Sequence, residues 1–202
     1  MRHVLILGAN GQIARVATDL FLAHPEVRLT LFARQAKRRL DFHGDARVEV
    51  VEGDVLDPRA LDTVMPGHDV VYANLAGPLE QQARAIVKSM LKAGVRRLIF
   101  ISSMGIYDEV PGERHGSILD PYRKAAAVIE ASSLDYTLLR PAWLNNRDEI
   151  AYGTTQKGET FRAPGESVSR KSVADLVVRL ATTPEMEVRR SLGVHREAVH
   201  AR

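Results

Sequence analysis

The chain has 202 residues, 28 basic and 25 acidic side chains for a formal charge of +3, 5% aromatic residues and no cysteine. This length suits one α/β domain with a real core and is too short for two substantial ones. The missing cysteines exclude a disulfide scaffold, a zinc ribbon, an iron–sulfur site and a thiol nucleophile, and they fit a reducing, cytoplasmic setting.

Taken in order, the apolar run in Met1–Gly8 is too short for a membrane span or a signal sequence, so no membrane partner is expected. Val4–Leu7 reads as a buried strand, and Gly11–Ala23 as a helix with Ile13, Val16, Ala17, Leu20 and Phe21 on one face. A second strand, Val27–Ala33, leads into a short basic helix, and a third, Arg47–Val51, closes at Glu52-Gly53-Asp54. Asp57-Pro58 carries the cap-plus-proline pattern that starts a helix through Val64. His68–Ala73 is a fourth strand, and Pro78–Ala93 is a helix ended by Gly94, with its apolar stripe read as core. Val95–Ile101 is a fifth strand. A helix at Pro121–Ser132, a strand at Asp135–Arg140, a helix near Ser172–Thr182 and a short strand around Ser191–His195 complete the set.

This alternation predicts an α/β Rossmann fold: a single domain over residues 1–202 with a doubly wound parallel sheet in order 3-2-1-4-5-6 and helices on both faces. The stretch Leu144–Ser169, rich in glycine and polar residues, is expected to form loops or a small hairpin. With the C-terminal tail it would be a minimal substrate-side region.

The first strand runs straight into Gly8-Ala9-Asn10-Gly11-Gln12-Ile13-Ala14. Gly8 permits a tight strand-to-helix turn, Gly11 a close backbone approach to a pyrophosphate, and Ala14 close helix–sheet packing. The free N–H groups of the helix start would face the anion. Gly8, Asn10, Gly11, Gln12 and Ile13 are therefore candidate dinucleotide contacts. At the end of the second strand, where an acidic residue selects NAD, the chain has Arg34 followed by Lys37 and Arg38. A guanidinium there suits a 2′-phosphate, so NADP(H) is preferred over NAD(H). Asp54 after the third strand can meet the adenine edge or cap its own turn. Asn74 and Ala76 follow the fourth strand at the carboxyl edge of the sheet, where ligands of open α/β sheets sit.

The basic run Arg34–Arg39 has no interleaved aromatics, which argues against nucleic acid as a partner. The seven histidines are scattered without metal-ligand spacing, and no metal is expected. No GxSxG segment is present, so a serine hydrolase is not expected.

Four segments resemble the atypical short-chain dehydrogenase/reductase superfamily, in particular its small NAD(P)H-binding, NmrA-like members. They are Gly8–Ala14, Gly53-Asp54-Val55, Ile101-Ser102-Ser103-Met104-Gly105-Ile106-Tyr107, and Leu134–Pro141. The resemblance spans nearly the whole chain. It implies cofactor contacts at Val55 and at Ser102 beside the nicotinamide, and cofactor or substrate contacts at Pro141, Ala142, Trp143 and Leu144. Catalytic relatives pair a tyrosine with a lysine four residues on, while a serine polarises the carbonyl. Ser103 resembles that serine, but Tyr122 is followed four residues later by Ala126, and Lys124 lies only two residues away on a different helix face. In the register set by Arg140-Pro141, Tyr122 occupies the lysine position and Ile118 the tyrosine position.

Ser103, Tyr107 and Tyr122 are the candidate catalytic residues. The expected function is an NADP(H)-dependent oxidoreductase acting on a small organic carbonyl or quinone-like substrate. The alternative is a non-catalytic NmrA-like sensor of NADP(H) that works through a protein partner, and a homodimer is compatible with either.

Overall fold

A computed structural model describes residues 1–40, 45–113 and 115–197. The expected tail beyond residue 197 lies outside the described residues. Six strands form the anticipated parallel sheet: β1 (Arg2–Leu7), β2 (Val27–Ala33), β3 (Val48–Glu52), β4 (Val70–Ala73), β5 (Arg97–Ile101) and β6 (Asp135–Pro141), in spatial order β3-β2-β1-β4-β5-β6. The chain crosses back after β3, so β1 and β4 are neighbours, with Leu7 paired to Ala73. That junction is the topological switch at which open α/β sheets bind ligands.

The β1 side chains show why the layers close. Val4 and Ile6 are buried in one apolar cluster and Leu5 and Leu7 in another, so both faces of the strand must be covered. Helices α1 (Gln12–Leu22) and α6 (Arg170–Thr182) pack together on the first face. Helices α3 (Pro58–Val64), α4 (Leu79–Ala93) and α5 (Asp120–Glu130) cover the second, and α2 (Ala36–Arg39) is a single turn after β2. The caps follow the sequence grammar. Asp57 accepts from the Arg59 and Ala60 amides with Pro58 at the first turn, and Ser169 accepts from the Ser172 amide. Gly94 ends α4 in the left-handed region.

The segment expected as loops or a small hairpin is mostly loop, but it also carries three strands that form no hairpin with one another. Residues Tyr152–Gln156 form β8, the antiparallel edge of an eight-stranded sheet, beside β10 (Arg190–Arg196), which itself runs parallel to β6. Two short strands, β7 (Leu144–Asn145) and β9 (Val168–Ser169), make a separate parallel ladder instead of a hairpin. The composition Tyr-Gly-Thr-Thr-Gln hides β8, because its backbone partners come from residues about forty positions away. Space is a second factor: a β-carbon on Gly193 of β10 would lie 2.6 Å from the Phe161 ring, so that glycine admits the ring against the strand.

Arg140 locks this extension to the sheet. Its side chain is fully buried, ion-paired to Glu109, and hydrogen-bonded through Nε to Ser191 Oγ at 3.0 Å and through Nη2 to the carbonyls of Thr155 and Ser191. Strands β6, β10 and β8 thus share one satisfied cation.

Candidate active site

A groove of about 670 Å³ runs along the carboxyl ends of β1, β2, β3 and β4. Its floor is Gly8, Asn10, Gly11, Gln12 and Ile13, and its walls include Arg34, Asp54, Val55, Asn74 and Ala76. Ten candidate cofactor contacts from four separate segments therefore meet in one place. Helix α1 begins there with Gly11 as its cap, no side chain capping it and no acidic residue in its first turn. Its first N–H groups are left for an anion from solvent. Gly8 has φ +78, and a β-carbon on it would lie 3.0 Å from the Asn74 carbonyl carbon. The close approach of β1 and β4 thus leaves a cradle whose depth a side chain would fill. Asn10 Oδ1 is buried without a partner at its rim, while Asn10 Nδ2 donates to the Arg34 carbonyl at 2.8 Å. These features fit a dinucleotide.

The cationic end of the groove differs in detail from the sequence expectation. Arg39, not Lys37 or Arg38, shares the wall with Arg34. The reason is local: Gln35 takes a left-handed conformation and starts the one-turn α2, which brings Arg39 back to the groove. Arg15 braces the turn, donating from Nε to the Asn10 carbonyl and from Nη2 to the Arg39 carbonyl, each at 3.2 Å. Asp54 both lines the groove and caps its own turn, accepting from the Leu56 amide at 2.9 Å.

Beyond Asn74 a second cavity of about 650 Å³ opens beside the ends of β5 and β6. Ile13, Asn74, Leu75, Leu144 and Arg170 line both spaces, so groove and cavity are continuous. Ser102, Ser103, Tyr122, Pro141, Ala142 and Trp143 all line the cavity. Ser102 Oγ is buried with no partner, and Ser103 Oγ donates to the Met104 carbonyl at 3.1 Å. Ile118, in the turn just before α5, and Tyr122, in its first turn, both line the cavity. Trp143 is 65% exposed, and Ile118 is also exposed, so the outer wall is apolar and open to solvent.

Tyr107 is not brought to this cavity. Its hydroxyl donates to Glu130 Oε1 at 2.7 Å and lies 3.2 Å from Ser191 Oγ. The ring sits between Arg140 and the Lys157 ammonium, the latter 4.3 Å from its centroid. Burial pushes its pKa well above the ordinary phenol range, and the Glu130 carboxylate adds to that. The left-handed Gly105 and the turn after it swing Tyr107 to the opposite side of the strand end from Ser103.

Three polar lining residues among those described had no signal in the sequence. Arg170 comes from the start of α6, and Gln82 of α4 enters the groove wall while Nε2 donates to the Ala76 carbonyl. His115 enters the cavity beside Gly105, where a β-carbon would lie 2.5 Å from its Nε2, and Glu113 Oε2 is 3.1 Å from the same nitrogen. Each reaches the site through tertiary contact from a segment without a local motif.

The family model described as NAD(P)H-binding matches residues 8–184. A Rossmann-fold NAD(P)-binding family protein from Shigella flexneri has a similar structure, with TM-score 0.86 and 40% identity, covering 100% of this chain and 98% of that one. A short-chain dehydrogenase/reductase from Veillonella parvula in complex with NADP superposes with TM-score 0.89 at 29% identity, covering 99% and 97% of the two chains. Among curated relatives, a (4-alkanoyl-5-oxo-2,5-dihydrofuran-3-yl)methyl phosphate reductase of Streptomyces griseus is 30% identical over 205 residues, 98% of this chain and 70% of that protein.

Proposed function

The chain belongs to the NAD(P)H-binding family of atypical short-chain dehydrogenase/reductases, and from that premise we propose that it is an NADP(H)-dependent reductase of a small organic carbonyl or quinone-like substrate. One observation carries the reading: the dinucleotide groove opens directly into an apolar cavity that holds Ser103 and Tyr122. The reductase from Streptomyces griseus and the NADP complex from Veillonella parvula support the reaction class and the cofactor choice.

The cofactor supplies the hydride when bound; everything else falls to the chain. The Gly8–Ile13 backbone and the open start of α1 would hold the pyrophosphate, and Arg34, with Arg39 beside it, would take the 2′-phosphate. Val55 and Asp54 would meet the adenine end, and Asn74, Ala76, Ser102 and Pro141, which line the groove and cavity, would meet the nicotinamide end. Ser103 Oγ–H, turned from the Met104 carbonyl to which it donates in this structure, would donate to the substrate carbonyl oxygen and so favour charge developing there. Tyr122 Oη gives that oxygen its proton and regains one from solvent at the open mouth. Leu75, Met104 and Leu119 keep the reacting carbon in apolar surroundings. Trp143, Ala142 and Leu144 bound the substrate from the side of residues 144–169.

The test is NADPH oxidation by the purified protein across a panel of aldehydes, ketones and quinones, run beside the Ser103→Ala variant. Turnover that falls in the variant while NADPH affinity holds supports the reductase. Tight NADPH binding with no turnover of any acceptor favours the second reading, a dinucleotide sensor acting on a protein partner. Its specific support is Ile118, an apolar side chain lining the cavity at the position where the register set by Arg140-Pro141 puts the tyrosine of catalytic relatives.

A further inference from the structure

Among the described residues Arg170 is the one arginine that lines the cavity, and its bonding is incomplete. It opens α6 and lines both the groove and the cavity. Its Nη1 donates to a neutral acceptor, Asn146 Oδ1, at 2.8 Å. Its Nε is buried with no acceptor, and among the described residues neither Nη2 nor any carboxylate completes the set. Arg140 is the contrast: all three of its nitrogens have partners, one of them Glu109. A buried guanidinium N–H left unpaired is costly, and it is retained where a ligand completes it.

The geometry of the group says which ligand. With Nη1 engaged, the free edge is Nε with Nη2, whose two N–H bonds point the same way. That edge meets a carboxylate or phosphate side-on through two parallel hydrogen bonds. Among the described residues no aspartate or glutamate lines the cavity to compete for the cation or repel an anion. The same cavity is lined by Leu75, Met104, Ile118, Leu119 and Trp143, which suit an apolar body. The start of α1, with its own free amides, serves the cofactor pyrophosphate at the other end of the shared space.

We propose that the substrate of this cavity is an organic acid, with an apolar body against these walls and its carboxylate or phosphate on the Nε/Nη2 edge of Arg170. The inference rests on the reading of the cavity as the substrate site, and it adds a substrate class and a specificity-determining residue.

The experiment is calorimetric titration of the NADP+-loaded protein with naphthoate, naphthyl phosphate and the neutral naphthamide. At least one acid should bind the wild type about tenfold or more tighter than the amide, and the tighter acid identifies the headgroup. R170Q should erase that preference, and R170K, which keeps the charge without the fork, should retain only part of it. Equal binding of the amide and both acids, binding of none of the three, or an undiminished preference in R170Q overturns the proposal. So does a loss in R170Q confined to NADP+ affinity, which would assign Arg170 to the cofactor. If R170Q does not fold, an undiminished preference in R170K overturns it instead. NADP+ titration of the wild type stands apart: failure to bind there sinks the cofactor reading, whatever the acids do.

Discussion

Gly8 and Asn74 touch across the switch point of the sheet. The Asn74 amide donates to the Leu7 carbonyl at 2.9 Å, and its carbonyl faces the Gly8 α-carbon so closely that no side chain fits between. The Asn74 side chain stands in the same relation to Gly11. One residue after β4 thus sets the depth of the cradle in which a pyrophosphate would sit.

Gly8→Ala should therefore damage both stability and binding. The left-handed φ alone costs about 1–3 kcal/mol in a non-glycine residue, and a backbone atom stands where the methyl group must go. At about 2–4 °C per kcal/mol for a chain of this size, a fall in melting temperature of roughly 2–12 °C is expected, with NADPH affinity lost in titration. Gly11→Ala has an ordinary φ of −64 and clashes mainly with the movable Asn74 amide. It should lose NADPH affinity with much less loss of stability.

Arg34→Glu replaces a phosphate partner with a repelling charge. NADPH affinity should drop about tenfold or more while NADH affinity changes little. Equal losses for both cofactors would remove Arg34 from the 2′-phosphate site.

The two tyrosines should separate. Tyr122→Phe and Ser103→Ala are expected to lower kcat by about a hundredfold or more, with small changes in NADPH affinity. Tyr107→Phe should leave turnover near wild type and cost about 1 kcal/mol of stability through the lost bond to Glu130. Parallel kinetics and thermal melts on the three variants decide the assignment.

Glu109→Ala should destabilise the fold strongly. It strands the fully buried Arg140 and removes the acceptor of the Gly105 and Tyr107 amides. Breaking a buried pair on one side costs about 3–5 kcal/mol, a fall in melting temperature of roughly 10 °C.

Acid should weaken the fold through His68. Its Nδ1–H donates to the Met65 carbonyl at 3.2 Å, and Nε2 lies 2.8 Å from Thr30 Oγ1 as an acceptor, an arrangement that suits the neutral ring. Burial lowers its pKa below the ordinary value of 6.5. The unfolded chain then binds the proton more readily, so this contribution is full above pH 6.5 and is lost as pH falls through the folded pKa. Melting temperature should decline on acidification from neutral pH, and the His68→Gln variant should decline less over that window.

Much of the site was legible because its chemistry is local. The Gly8–Ala14 loop, the Arg34 cation and the Ser102-Ser103 and Pro141–Trp143 segments each follow a strand, and parallel strands bring their carboxyl ends to one edge. The offset from Arg140-Pro141 matches Ile118 and Tyr122 to the tyrosine and lysine positions of the family, and both line the cavity although Ile118 sits in the turn that precedes α5. Tyr107 shows the limit. Its spacing from Ser103 was suggestive, but the turn at Gly105 carries it away to Glu130 and Lys157.

The sequence by itself determined the fold, its strand order and the dinucleotide cradle, because periodicity, caps and glycine geometry act within a few residues of each other. Only the tertiary structure decided that β8 edges the sheet, that Arg39, His115 and Arg170 enter the site, and which tyrosine faces the cavity. Those outcomes depend on burial and pairing between segments far apart in the chain, where no local pattern fixes the partner.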